Sequence, residues 1–452
     1  MESLSVMIDN KSAQRTPSLS IVNFQLSIEE VFMIQTIELF PGVTLRCCRD
    51  ERFKQGALSL QFLRPMCREE AALNALLPAV LLRGCRSCPD MRAITLRLDD
   101  LYGASVGALV RRTGDIQSTG LSCGFIDDRF TLDGDAVFAP MLRFLEEILL
   151  DPVTVEGGFC PEYVASEKQN LIWTMESQRN DKRTYAANQL LKQLCKGDSY
   201  GIPRLGEVPD VEVITPESLY AHYRKILQES PVHVFYVGSA EADAVAEALR
   251  PMLSRLAKRP ISLPSQTGLA AGEFTRQEEC LDVAQGKLCM GFVTPITLRH
   301  SDYAAMQVCN TVFGAGMTSK LFMQVREKMS LCYDIGSGFH GSKGIMTVSA
   351  GIEFDKEEIV RQEILRQLEE IIRGNVTVQE LTAAKEALLS MLRSYHDSPG
   401  AIEGYYASAA ISGIGMDTAQ FMAAVEAVDL SAVVSAAKTL QLQSVYFLRG
   451  EK

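Results

Sequence analysis

The chain repeats itself. Phe144 to Leu149 (FLEEIL) is followed by Val153-Thr154, and Gln367 to Ile372 (QLEEII) is followed by Val376-Thr377. The offset is 223 residues in both cases, close to half of the 452-residue length. Each segment leads into a helix-like stretch, Glu162 to Met175 and Glu380 to Arg393. A looser parallel sets Leu101 to Ala104 (LYGA) beside Val312 to Ala315 (VFGA), at an offset of 211. Repeated elements in the same order predict two similar domains, each with its own core. Hydrophobic residues make up 47% of the chain and charged residues 22%, enough apolar material for both.

The joint should carry turn-forming residues. Arg259 to Phe274 (RPISLPSQTGLAAGEF) holds two prolines and two glycines, a composition that suits an extended linker. The expected layout is therefore a flexible N-terminus at 1–18, a first domain at 19–257, a linker at 258–275 and a second domain at 276–452. In the first domain Thr44 to Cys48 and Ala57 to Phe62 read as strands, and Ala71 to Leu82 as a helix. Ser118 to Phe125 and Arg129 to Leu132 read as a strand pair turning near Asp127. Asp135 to Leu149 has helical spacing. His233 to Val237 is β-rich, and Ala240 to Leu256 has a helical pattern. The second domain opens on a strand at Lys287 to Val293. It continues with paired strands, Ser330 to His340 and Gly344 to Ile352, and a helix over Asp355 to Arg373 with Asp355 as its cap. Grouped strands and helices give an α+β fold, each sheet largely antiparallel and covered by helices.

Several chemistries are excluded or weak. The net charge of -11, from 45 basic and 56 acidic residues, argues against a general nucleic-acid binder. No uncharged apolar run approaches the roughly 18 residues of a membrane span. The N-terminus lacks a basic stretch followed by an apolar one, so a cytoplasmic location is expected. The twelve cysteines then read as reduced thiols, the Cys85/Cys88 pair included. Of the five histidines, no two sit at the spacing that presents a local metal pair. There is no GxxxxGK[ST], no GxGxxG after a strand and no GxSxG.

The most informative stretch is Phe313 to Ser337, FGAGMTSKLFMQVREKMSLCYDIGS. It resembles the C-terminal domain of the M16 (insulinase, pitrilysin and processing-peptidase) family. The matching pattern is Gly314 and Gly316, Ser319 to Phe322 (SKLF), Arg326-Glu327, and Tyr333 seven residues after the arginine. In many two-domain members such an arginine and tyrosine, the R/Y pair, bind substrate backbone. The resemblance therefore implies substrate binding by Arg326 and Tyr333. A guanidinium and a phenol can donate to peptide carbonyls without reading side chains. The bland alternative is an Arg326 paired with a nearby acid and a Tyr333 packed on a strand.

The same family carries zinc on an HxxEH helix in its N-terminal half. Anchored on Gly84, those positions fall on Ala75, Leu76, Leu77, Pro78 and Ala79. Alanine cannot ligate zinc and proline cannot move a proton, so Ala75, Pro78 and Ala79 mark a degenerate zinc site. The further ligand expected within Glu167 to Glu176 aligns with Thr174, and Glu176 alone makes no site. The chain is accordingly similar to non-catalytic M16 chains that lack HxxEH. Asn180 to Ala186 (NDKRTYA) and Gly341 to Met346 (GSKGIM) add to that likeness. The resemblance implies no cofactor in this chain, zinc in a paralogous HxxEH-bearing partner, and a peptide or small protein as substrate. The second expectation is a proteolytically inactive scaffold, linked to elongation factor P modification only by the name such chains carry. A self-sufficient hydrolase with an unrecognised site is a weaker third.

Overall fold

The computed structural model describes residues 34–265, 267–414 and 416–450. The frayed segment expected at 1–18 and the start of the first domain at 19–33 lie outside them. The first half runs β1 (Ile34–Phe40), β2 (Val43–Arg49), β3 (Gln55–Pro65), α1 (Arg68–Leu81), α2 (Met91–Asp99), β4 (Ser105–Thr113) and β5 (Ile116–Ile126). It continues through α3 (Phe138–Leu150), the small hairpin β6 (Thr154–Val155) and β7 (Gly158–Phe159), α4 (Pro161–Asn180) and α5 (Lys182–Leu194). It closes with α6 (Val208–Glu212), α7 (Pro216–Glu229), β8 (Val232–Gly238) and α8 (Ala242–Leu253). The second half runs β9 (Thr275–Leu281), β10 (Gly286–Val293), α9 (Tyr303–Phe313), a π-helical segment Leu321–Lys328, β11 (Asp334–His340) and β12 (Ile345–Ile352). Then come α10 (Glu357–Ile372), α11 (Val378–Ser394), α12 (Pro399–Ser412), α13 (Thr418–Ala427), α14 (Leu430–Ala437) and β13 (Gln441–Gly450).

The strands form a six-stranded sheet, β1-β2-β8-β3-β5-β4, and a five-stranded sheet, β11-β12-β10-β13-β9. Pairing is antiparallel except at β2–β8 and β9–β13. The fold is thus α+β with two mixed, mostly antiparallel sheets. Among the described residues no single helix is long and apolar enough to cross a membrane. The FLEEIL and QLEEII segments lie in α3 and α10, equivalent helices after equivalent hairpins.

Four details depart from the sequence reading. Arg129 to Leu132 is not a strand: it lies in short 3-10 turns, with Asp127 accepting from the Arg129 amide. The partners of β5 are β4 and β3 instead. Asp355 does not cap α10, whose N-cap is Lys356 with no side-chain bond. The LYGA and VFGA segments are not equivalent, because the first follows α2 and the second ends α9. Strand β9 precedes β10, so the second sheet starts where the linker composition ends.

Each half covers its partner's sheet. In β3, Leu58, Leu60 and Phe62 face the helices of their own half, in one core with Leu76 of α1 and Leu145 of α3. The alternate residues Ser59, Gln61 and Leu63 face the other way, as the two-residue period of a strand requires. That second face is covered by α12 from the second half. Reciprocally, Leu288, Met290 and Phe292 of β10 face their own core. Cys289 and Val293 meet α5 of the first half through Ala186, Leu190 and Leu194. Gly291 faces the same helix: a Cβ there would come within 2.9 Å of the Leu194 Cδ2 methyl, which would have to move aside.

Polar seams fix the exchange. Glu403 of α12, 5% exposed, accepts from Ser59 Oγ (2.6 Å), Gln61 Nε2 (2.9 Å) and both Arg111 Nη atoms (2.9 and 2.8 Å). Lys343, fully buried on the β11–β12 turn, bridges Asp115 (2.6 Å) and Asp198 (2.9 Å) of the first half. Burial opposes its charge, but the two carboxylates outweigh burial and raise its pKa. The joining segment is strapped to both halves. The Thr267 amide donates to Asp115 (3.3 Å) and the Leu269 amide to the Lys343 carbonyl (2.8 Å). The GSKGIM motif is therefore the turn that carries Lys343. The NDKRTYA motif is the break at Asp181, which caps α5 as it crosses to the other sheet.

The Glu403 seam yields a prediction. Glu403→Ala leaves the buried Ser59 and Gln61 groups and the half-buried Arg111 without their acceptor, which should cost about 2–3 kcal/mol. Urea unfolding should show a lower midpoint than wild type. An unchanged midpoint would remove this carboxylate from the forces that hold the halves together.

Candidate functional site

The positions to which the resemblance assigns HxxEH, Ala75 to Ala79, lie on α1. Its N-terminal segment follows β3 directly, and its apolar residues pack against β5. Ala75 is 6% exposed, Leu76 and Leu77 are buried, Pro78 is buried and Ala79 is half-buried. Pro78 stands inside the helix. It has no N–H, so the Asn74 carbonyl loses its usual partner four residues on. Thr119 of β5 supplies the replacement, its hydroxyl donating to that carbonyl at 2.7 Å. A void of about 10 Å³ beside Leu77, Pro78 and Thr119 is at the lower limit for one water.

The nearest polar groups are already committed. Asn74 Nδ2 donates to Gln117 Oε1 (2.8 Å), and Gln117 Nε2 donates to the carbonyls of Ala71 (3.1 Å) and Arg204 (2.7 Å). His222 Nε2 lies 2.8 Å from Asn74 Oδ1, an atom that only accepts, so the imidazole carries its proton on Nε2. Burial lowers the His222 pKa to about 4, which keeps it neutral. On α4, Thr174 donates to the Asn170 carbonyl (2.8 Å), Glu167 pairs with Arg83 (3.1 Å), and Glu176 is exposed. Cys85 and Cys88 are buried free thiols.

Arg326 and Tyr333 line one cleft of about 350 Å³, with Glu327, Ser330, Leu331, Cys332 and Glu353. Arg326 projects from the π-helical segment, where the Leu331 amide donates to the Val325 carbonyl (3.0 Å). Ser330 adopts φ of +51°, a left-handed turn that brings the chain round to β11. The Arg326 guanidinium lies over the Phe322 ring at 4.7 Å and 3.6 Å from Glu327, too far for a hydrogen bond. An exposed pair of that kind is weak, so its donors stay available. Tyr333 is 61% exposed, and its amide donates to the Gly351 carbonyl (2.9 Å), which fixes the backbone and leaves the phenol in the cleft.

Known proteins share the family and the fold. The family description "Peptidase M16 inactive domain" matches residues 214–388, a span that includes Arg326 and Tyr333. The chain is 30% identical over 412 residues to the probable inactive metalloprotease YmfF of Bacillus subtilis, covering 90% of this chain and 96% of that one. The chain belongs to the M16 peptidase family. A conserved protein from Enterococcus faecalis V583 has the same fold, with a TM-score of 0.86 and 29% identity over 92% of this chain and 99% of that one. A peptidase M16 inactive domain from Pseudomonas fluorescens superposes with a TM-score of 0.78 at 20% identity, over 93% and 98% of the two chains.

The M16 zinc site does not fit this chain. Ala75 and Ala79 offer no donor atom, Pro78 no carboxylate, and the neighbouring Asn74 and His222 hold each other. Among the described residues no three His, Cys, Asp or Glu side chains converge as a metal site. Sequence reasoning missed the Gln117–Asn74–His222 chain. Its one signal was Asn74, a polar residue inside an apolar run. Ser330 and Glu353 were missed as well, since nothing in their sequence marks a left-handed turn or a cleft wall.

Two predictions follow from α1. Thr119→Val keeps the shape but strands the Asn74 carbonyl, so it should lower stability by about 1–2 kcal/mol in urea unfolding. Unchanged stability would mean that Thr119 does not compensate for Pro78. The second concerns acid. Burial holds His222 near 4 and His340 near 4, against 6.5 in the unfolded chain. Between those values the unfolded state binds more protons, so stability rises with pH through the window and falls as acid is added. The Tm should drop from pH 6.5 to 4. His222→Gln, which can donate to Asn74 but cannot titrate, should drop less steeply, and a slope equal to wild type would exclude His222 as a cause.

Proposed function

We propose that this M16 chain is the non-catalytic, substrate-binding subunit of a two-chain zinc peptidase. The partner would be a paralogous chain bearing HxxEH, which supplies zinc, the attacking water and the general base. This chain supplies the grip. The observation that carries the reading is the shared cleft, in which Arg326 and Tyr333 stand open to solvent with their donors uncommitted. Tyr333 immediately precedes β11, the edge strand of the second sheet. An extended peptide could pair with that edge while the guanidinium and phenol donate to its carbonyls. The likeness to a probable inactive metalloprotease and the degenerate α1 support a role without chemistry of its own. The proposed complex works in the cytoplasm, on the sequence grounds already given, and takes a peptide or small protein as substrate.

The test is reconstitution with an HxxEH-bearing paralogue from the same host. Arg326→Ala should lower kcat/KM of the complex by about ten- to a hundredfold, the loss of one or two charge-assisted hydrogen bonds. The chain itself should keep its wild-type Tm. An unchanged kcat/KM would overturn the role assigned to Arg326. A chain that purifies from its host only as a homo-oligomer would instead favour a proteolytically inactive scaffold, and there a link to elongation factor P modification could be examined.

A further inference from the structure

A second, larger cleft of about 760 Å³ lies between the end of α4, the length of α5 and the loop 200–209. That size falls within the range of pockets that take small organic ligands and short peptides. Its charge is lopsided. Arg112, Arg179, Lys192 and Arg204 line it, and among the described residues on its wall Glu207 is the only acid. Glu207 is already engaged by Lys192 (2.5 Å) and Arg68 (3.2 Å), and it caps α6. The three guanidiniums have no carboxylate within ion-pair distance among the described residues. In a chain of net charge -11 this is a local excess of positive charge.

Arg112 and Arg204 are oriented but not neutralised. Arg112 Nη1 donates to the carbonyls of Tyr200 (2.9 Å) and Ile202 (2.8 Å), and its guanidinium lies 4.1 Å from the Tyr200 ring centre. Arg204 donates to the Val110 carbonyl of the edge strand β4. A carbonyl fixes a guanidinium in place without cancelling its charge. Crowding by the surrounding chain, and then the like charge of Arg112, lower the Arg204 pKa. An anion between them would relieve that repulsion. The remaining wall suits a peptide better than a bare ion. The amides of Gln178 and Asn188 can donate and accept, as a peptide bond requires, and Met175 and Leu191 supply adaptable apolar surface.

We propose that this cleft binds the acidic end of a peptide, with Arg112, Arg179 and Arg204 as its carboxylate receptors. The proposal rests on the peptide-holding role assigned above and adds a preference for acidic segments. The carboxylates recognised are the Asp/Glu side chains near that end, not the C-terminal carboxylate that every peptide carries.

Fluorescence anisotropy on the full chain tests it, with a labelled Gly/Ser peptide ending in Glu-Glu, its Gln-Gln counterpart, and the C-terminal amide of each. The Glu-Glu peptide should bind about tenfold tighter than the Gln-Gln peptide, as one charge-assisted pair would give. Arg179→Gln, on the exposed wall, and Arg204→Gln should each remove most of that difference. Both should leave Gln-Gln binding unchanged. Lys438→Gln, a charge removed outside the cleft, should change neither. Amidation removes a carboxylate common to both peptides, so the Glu-Glu preference should persist between the two amides, and its loss there would overturn recognition of the side chains. Equal affinity for the two peptides, no binding of either, or a preference that survives both Arg variants would overturn the proposal. Displacement of the Glu-Glu peptide by inorganic phosphate at lower concentration than by unlabelled peptide would also overturn it, in favour of a phosphate site. Arg326→Ala should weaken both peptides alike, so the failure of either reading shows separately.

Discussion

Two sheets with apolar residues on both faces cannot each be served by helices on one side. Water on the second face would expose Leu63 and Ile116 in one sheet, and Cys289, Tyr446 and Leu448 in the other. The chain solves this by lending a helix in each direction, α5 to the second sheet and α12 to the first. Everything else in the molecule is arranged around that exchange. The breaks after α4 and α11 aim the lent helices, and Gly291 faces the Leu190 and Leu194 side chains of α5. Glu403 and Lys343 then supply directional bonds at the two seams. Nondirectional burial provides most of the driving force, and the buried, bonded charges add directional contacts that favour one register of helix on strand.

The exchange also shows why the halves read unevenly from sequence. The repeat was visible because α3 and α10 are amphipathic helices whose exposed faces keep Glu-Glu in the same place. The strands at the sheet centres were harder. In β3 the alternation of Leu58, Leu60 and Phe62 with Ser59 and Gln61 suggests one wet face. Yet Ser59 and Gln61 are 1% and 0% exposed, because their partner is a glutamate more than 340 residues away. No local pattern announces such a partner. The strands β1, β4, β9 and β13 escaped for a related reason: three of them sit at sheet edges, where polar residues such as Arg111, Arg112 and Arg276 weaken the apolar signal.

The candidate site divides the same way. Arg326 and Tyr333 are close in sequence and carried by a recognisable motif, so their association was legible before any coordinates. What surrounds them depends on Ser330 turning left-handed, which its identity does not foretell. The basic cleft was beyond reach altogether. Arg112, Arg179 and Arg204 come from a strand, a helix end and a loop, each within unremarkable local sequence and inside a chain of acidic balance. Cation clusters of this sort exist only in the folded state.

Pro78 and Thr119 make α1 a poor host for a metal motif. With the proline in place, the helix depends on a hydroxyl from the neighbouring strand, and Asn74 has become the centre of a closed chain from Gln117 to His222. Grafting His, Glu and His onto positions 75, 78 and 79 would return an amide to a carbonyl that Thr119 already occupies. It would also press a carboxylate and an imidazole into packing with room for about 10 Å³. The packing around α1 is like a lock whose wards have been filled, so writing the letters of the motif into it would not by itself make a place for the metal.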